Sequence, residues 1–303
     1  MPVELEFDYD KAVAAMDKFS QADINLLREW SLKLDKSKYV PKDLTDKQIV
    51  LFYNACYGDL DKTKACIEKF YTCRKNTPEF FENRSLNADA IIQPTLRRVP
   101  AEFSVLPEKS VKGYDIIYHR LHLTEPSKYH LEPGCKLLFM AVDACLIKRG
   151  PQPGHIFLFD MRGVKLGHLT RVSLSSLRKF FTYIQEAMPV RMKEIHVLNT
   201  EPILDKLLLL IRPFMDKKLF DLIKFHNKND DLNQFYESVI PRSALPPDYG
   251  GTLQDTQTLH KKCIKQLQAL DSYWRAEEAQ RLSVIDKKKD KILEQNFKSL
   301  DID

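Results

Sequence analysis

His119, His122 and His130 form the histidine cluster of the sequence, side chains able to bind a metal or move a proton. They fall in or beside a run that reads as a β-strand. A spacing of three on a strand puts two side chains on opposite faces, so His119 and His122 do not converge on one ligand. The expectation is a polar strand edge and no metal centre. The cysteines at 56, 66, 73, 135, 145 and 263 form no C-x-x-C pair and no regular framework, and read as reduced thiols used mainly for packing. Nucleophile elbows, P-loops, G-x-G-x-x-G fingerprints and H-E-x-x-H pairs are all missing, which removes the usual sequence grounds for an enzyme. A non-catalytic protein without a cofactor is expected. Asp160, three residues before Gly163, ends an apolar strand and reads as a turn: a carboxylate capping local N–H groups before a residue free to take positive φ.

The most informative local composition is the apolar segment Ile203 to Ile211, broken near Pro213 and followed by Phe214 and Met215. A helix that is apolar around most of its circumference is either buried in a core or made to meet a greasy partner. Basic residues stand on both sides of it, at Arg191, Lys193, Lys217 and Lys218.

The elements that position these residues change character along the chain. Up to about 90, apolar residues recur at helical spacing. Ser20 with Asp23, Thr45 with Asp46, and Asp59 with Asp61 supply helix starts, and Thr77-Pro78-Glu79 reads as N-cap, N1 and N2 of a short helix. From about 112, strands at Tyr114 to Leu121, His155 to Asp160 and Ile195 to Asn199 alternate with helices at Leu137 to Lys148 and Ser173 to Met188, the pattern of parallel βαβ units. From about 255 a long charged helical pattern carries Leu267, Leu270, Tyr273, Trp274 and Leu282 as its apolar stripe, with the basic cluster Lys287-Lys288-Lys289 on a face expected to meet solvent. The expected organisation is a helical module over 1–90, an α/β domain over 91–254 and a helical tail over 255–303.

The 47 basic residues against 42 acidic ones leave a net charge of +5, which favours anionic partners slightly and does not indicate nucleic acid. The start of the chain has no apolar signal region, and no run approaches the roughly 20 apolar residues that span a bilayer. A cytoplasmic monomer, peripheral at membranes, is the expectation.

Several segments together resemble the CRAL-TRIO lipid-carrier family. They are Phe157-Leu158-Phe159-Asp160-Met161-Arg162-Gly163 through His168; Met188-Pro189-Val190-Arg191 through Asn199, continuing by Ile211-Arg212-Pro213-Phe214 to Phe225-His226; and Phe235-Tyr236-Glu237 through Tyr249-Gly250-Gly251. Upstream, Asp61 to Arg74 and Pro78-Glu79-Phe80 look like the family's N-terminal helical module. The resemblance implies a mixed, largely parallel sheet with flanking helices, a pocket over the sheet and a mobile lid helix, preceded by a small helical bundle. It implies a carrier of one hydrophobic, lipid-like molecule, an isoprenoid such as a tocopherol or retinoid being favoured, that exchanges its cargo at an anionic membrane surface. The alternative on the same fold is a phosphoinositide-binding signalling adaptor.

Given such a pocket, strand alternation places Phe157 and Phe159 on one face, and Phe180, Tyr183, Ile184 and Ala187 share a helix face. Val190 and the lid positions Ile203, Leu207, Leu210, Ile211 and Phe214 complete the expected lining, with Tyr183 or His168 as the polar contact. In one member of the family, basic residues around the lid hold a phosphoinositide headgroup. Arg191, Lys193 and Lys218 fall at three of those positions, whereas Leu222 and Cys56 stand at two others. Each missing cation removes charge-assisted bonds, so generic attraction to an anionic surface is expected rather than tight headgroup selection.

Overall fold

Alternation of buried side chains along the strands decides the architecture, which a computed structural model describes for residues 3–87, 99–200 and 203–284. Five strands, β1 (Ala101–Val105), β2 (Asp115–Leu121), β3 (His155–Asp160), β4 (Met192–Leu198) and β5 (Ile223–His226), lie side by side in sequence order. β1 is antiparallel to β2 and the other three pairings are parallel, so the sheet is mixed. Ile117, Phe157 and Ile195 face one core, while Ile116, Tyr118, Ile156 and Leu158 face a second. The second face is closed by the domain's ending, where Phe235, Ile240, Leu245 and Tyr249 pack.

The first face is covered by crossover helices. α6 (Leu131–Arg149) joins β2 to β3 and is buried at every residue from Cys135 to Ile147, its two charged residues in that stretch, Lys136 and Asp143, being held by partners. α7 (Leu166–Leu169) and α8 (Leu174–Glu186) join β3 to β4; α9 (Leu204–Ile211) and α10 (Lys217–Asp221) precede β5. α11 (Asn233–Ser238) lies beyond it. The strands expected from the sequence are present, β4 beginning at Met192. β1 and β5 were not anticipated as strands, because each is only five or four residues long, too short for a side-chain period to stand out.

The amino-terminal part contains α1 (Tyr9–Ala14), α2 (Gln21–Lys33), α3 (Asp46–Ala55), α4 (Leu60–Asn76) and α5 (Pro78–Phe81). Ser20, Thr45 and Asp59 each accept a hydrogen bond from the backbone N–H three residues on, as expected of N-caps. Thr77 does not cap α5; its hydroxyl donates back to the Cys73 carbonyl at 2.6 Å.

α12 (Thr256–Ala269) and α13 (Asp271–Leu282) bury the expected stripe at Leu267, Leu270 and Trp274 and correct the expectation that the charged face meets solvent. α12 packs on β1 and α6, and Trp274 of α13 is fully buried, its indole N–H donating to the Leu267 carbonyl at 2.8 Å. The charges of α13 go inward as well. Arg74 of α4 donates to Asp143 of α6 at 2.7 and 2.9 Å and to Glu277 of α13 at 3.2 Å; Arg84 bridges the same two carboxylates. All four side chains are buried, so each charge depends on its partners, and the network ties the amino-terminal helices, the sheet domain and the carboxy-terminal helices into one unit. Burial would by itself lower the Arg74 pKa, and Asp143, Tyr183 and Glu277 together hold it well above its ordinary value. Lys287-Lys288-Lys289 lies outside the described residues.

Candidate functional site

Between the first face of the sheet and the crossover helices lies an apolar cavity of about 270 Å³. Its floor is built by cross-strand register. Phe103, His119, Phe159 and Val197 are successive partners across β1 to β4, and Phe157, Ile195 and Ile223 make a second row across β3 to β5. Leu138, Phe139 and Val142 of α6 and Leu177, Phe180, Phe181 and Ile184 of α8 form the walls. Phe139 and Phe180 stack at 5.6 Å between ring centroids, which fixes one helix against the other.

Helix α9 roofs the cavity. Leu207, Leu210 and Ile211 point into it, while Leu209 on the opposite side is 80% exposed. No side chain of α9 is fully buried, so this apolar segment is a cover rather than a core helix. At its carboxy-terminal end Phe214 stacks on Phe181 and its carbonyl accepts a 3.1 Å hydrogen bond from Gln185. At the other end, Asn199 adopts positive φ and donates to Asp160 at 2.8 Å.

Few polar groups reach this interior. His168, buried on α7, has Nδ1 2.9 Å from the Lys165 backbone nitrogen and 3.2 Å from the Lys165 carbonyl oxygen; in the tautomer in which Nδ1 accepts the shorter contact, the proton sits on Nε2. That Nε2 has no partner, leaving one hydrogen-bond donor in the cavity wall unused. His119 lies on the floor between the rings of Phe103 and Phe159, and burial pulls its pKa from 6.5 down to about 4, so it is neutral at physiological pH. Asp160 is engaged elsewhere. It caps its own turn by accepting the Arg162 N–H at 2.9 Å, pairs with the Arg162 side chain at 2.7 Å and accepts from Tyr249, while Gly163 takes φ +79°. The turn read from the sequence is therefore present, with a tie to the domain's ending added.

Of the expected lining residues, Phe157, Phe159, His168, Phe180, Ile184, Leu207, Leu210 and Ile211 meet in this cavity. Tyr183, Ala187, Val190, Ile203 and Phe214 are not among its lining residues. Tyr183 faces the other way, its hydroxyl accepting from Arg74 at 2.8 Å, because the helix face that was read as one stripe is shared between the cavity and the amino-terminal helices. Ala187 turns its carbonyl to the Cys66 thiol at 3.6 Å, and Ile203 is buried at the start of α9. The structure corrects the reading of His119 as part of a polar strand edge, burying it in the floor between two rings, and sequence reasoning missed Phe103 and the α6 wall. Alternation in β2 carried the signal for His119, but only the register with β1 and β3 shows which face is the floor.

The basic residues occupy two places. Arg191 is buried, its guanidinium donating to the Asn54 carbonyl and the Asp17 carboxylate, each at 2.7 Å, and lying over the Tyr57 ring. Lys193 donates to the Tyr57 hydroxyl at 2.9 Å. On α10, exposed Lys217 pairs with Asp221 at 2.6 Å, and exposed Lys218 has no partner among the described residues. All six cysteines are free thiols. No helix among the described residues is long and apolar enough to cross a membrane.

An apolar cavity over a mixed sheet, roofed by an amphiphilic helix and closed behind by the ending at Tyr249-Gly250-Gly251, agrees with the family model that matches residues 102–251, the CRAL/TRIO domain. This chain belongs to the CRAL-TRIO family. A second model, the Pinta-like UBA domain, matches residues 17–91. The CRAL-TRIO chain is 27% identical over 218 residues to the human protein named alpha-tocopherol transfer protein-like, a match covering 71% of this chain and 61% of the relative. It is 25% identical to the mouse protein of the same name over 78% of this chain and 66% of that one, and 25% identical to human Clavesin-2 over 43% and 39%. The matches thus span about 61% of the length of the first curated relatives. Among solved structures, that titled "Crystal structure of Sfh5" superposes with TM-score 0.50 at 10% identity, covering 83% of this chain and 98% of the other, a likeness of fold.

Proposed function

We propose that this CRAL-TRIO protein is a non-catalytic carrier that encloses one hydrophobic molecule with an oxygen-bearing end and exchanges it at a membrane surface. The observation that carries this reading is the conjunction of an apolar cavity with one unused donor, His168 Nε2, under a helix whose outer face exposes Leu209. Binding is driven by removing apolar ligand surface from water, at about 25 cal/mol per Å². A ligand oxygen that accepts from His168 fixes orientation, since a buried donor left unpaired costs roughly 1–3 kcal/mol. The relatives' name points towards a tocopherol-like isoprenoid, whose chromanol hydroxyl is such an oxygen.

Exchange requires α9 to leave the cavity mouth. Leu209 together with exposed Leu166 and Leu174 offers apolar contact to a bilayer, and Lys217 and Lys218 supply attraction to anionic lipid. Arg191, held by Asp17 and Asn54, is already neutralised, which favours generic surface attraction over selection of a phosphoinositide headgroup. The deciding experiment is organic extraction and mass spectrometry of the purified protein, followed by transfer of the recovered lipid between donor and acceptor vesicles. One apolar, oxygen-bearing molecule per chain, transferred faster with protein than without, is expected. A protein that neither retains nor takes up such a molecule overturns the reading.

A further inference from the structure

A second group of side chains lies at the opposite end of the strands from the Asp160 turn. Asp115 and His155 are the first residues of β2 and β3 and are register partners; Cys145 of α6 lies over them. The Cys145 sulfur is 3.4 Å from Asp115 Oδ2, and His155 Nε2 is 4.0 Å from the same oxygen. The three donor atoms all lie within 4.8 Å of one another. All three residues are buried, and neither ring nitrogen of His155 has a hydrogen-bond partner. Native structures seldom leave a buried imidazole wholly unpaired, and an ion or water is the ordinary explanation.

We propose that Asp115, Cys145 and His155 form a site for one borderline divalent cation of the zinc class, bound through carboxylate, thiolate and imidazole. Tetrahedral zinc bonds of about 2.0–2.3 Å set donor–donor separations of roughly 3.3–3.8 Å, so the side chains present need only small contractions to close on an ion. The donor set selects the metal. Calcium takes six to eight oxygens and magnesium a near-octahedral shell rich in water, whereas a sulfur and a nitrogen suit zinc. The other carboxylate oxygen, Asp115 Oδ1, is held by Arg149 at 2.5 Å and Lys109 at 3.7 Å, the kind of outer partners that orient a ligating carboxylate. Binding replaces the thiol proton of Cys145 with the metal and releases that proton to solvent, so uptake strengthens as pH rises. An entry route exists: Cys145 and Arg149 line a separate cavity of about 490 Å³ between β1, α6 and α12. None of the three ligands lines the lipid cavity, so the metal and the cargo are independent.

The test uses the full-length, tag-free protein stripped with chelator and titrated with Co²⁺. Thiolate-to-cobalt charge-transfer absorption rising to one equivalent per chain, and displaced by Zn²⁺, is expected. Cys145→Ala should abolish the band, His155→Gln should weaken binding by about tenfold or more, and Cys263→Ala should leave it unchanged. Lipid content of each variant reports its fold. A parallel measurement needs no variant: Zn²⁺ should protect Cys145 of the wild-type protein, mapped by peptide mass, from alkylation. Failure of the wild-type chain to develop the band, or its persistence in Cys145→Ala, overturns the proposal, as does Cys145 alkylation that Zn²⁺ leaves unchanged.

Discussion

His168 and His119 show how two histidines in one cavity do different work. With its Nδ1 accepting the Lys165 backbone N–H, His168 presents an Nε2–H to the cavity, the donor the proposed carrier role uses. His168→Leu removes that donor while keeping an apolar wall, and is expected to weaken retention of an oxygen-bearing ligand by about tenfold, the equivalent of one hydrogen bond of roughly 1.4 kcal/mol. A hydrocarbon analogue without the oxygen should bind both proteins alike, and competition binding with the two ligands checks it. His119 is neutral because burial lowers its pKa from 6.5 to about 4. The unfolded chain therefore binds a proton that the folded chain does not as pH falls from about 6.5 towards about 4, and stability is lost through that window. For this residue the loss between pH 7 and pH 5 is about 2 kcal/mol. Urea unfolding of His119→Phe should show a correspondingly flatter pH dependence; an unchanged slope would place the acid sensitivity elsewhere.

Helix α9 is an element whose sequence serves two environments. Leu207, Leu210 and Ile211 cover the cavity and Leu209 faces out, so substitutions on the two faces separate holding from exchange. Leu207→Asp sets a charge against apolar ligand and is expected to reduce bound lipid about tenfold or more. Leu209→Glu should leave bound lipid intact and slow transfer between vesicles. Extraction and transfer assays on the same preparations distinguish the two. The α10 lysines belong to the same step. Charge reversal at Lys217 and Lys218 is expected to reduce liposome co-sedimentation, with phosphatidylserine and bisphosphorylated phosphatidylinositol binding equally at matched surface charge and both weakened by salt. A saturable preference for the phosphoinositide would identify a built headgroup site instead.

At the scale of the whole molecule, the buried pairs of Arg74 and Arg84 with Asp143 and Glu277 make the three parts of the chain interdependent. The two arginines and Arg281 hold the Glu277 carboxyl below its ordinary range although burial alone would raise it. Glu277→Gln leaves buried guanidinium groups short of a counter-charge, and the expected loss is about 3–5 kcal/mol in equilibrium unfolding. A single cooperative transition is expected for the wild-type protein, because α13 supplies a charge that α4 and α6 need. Deleting the chain after residue 254 should therefore destabilise the amino-terminal helices and the sheet domain together, which proteolysis and calorimetry would show.

Local patterns settled what depends on neighbours in sequence: the helix starts at Ser20, Thr45 and Asp59, the alternation of β3, the turn from Asp160 to Gly163 and the apolar helix roofing the cavity. Each is fixed by backbone capping or by side-chain period, which a short window contains. The ordered motifs also identified the fold before its geometry was known. Tertiary structure alone decided which side of α8 meets the cavity, since Phe180 and Tyr183 are both aromatic members of one helical stripe and differ in what packs against them. It turned the charged face of α13 inward, because the partners of Glu277 lie about 200 residues away at Arg74 and Arg84. It also brought Asp115, Cys145 and His155 together, three residues whose spacing matches no motif, because register and crossover packing, rather than sequence distance, determine which side chains share a buried volume.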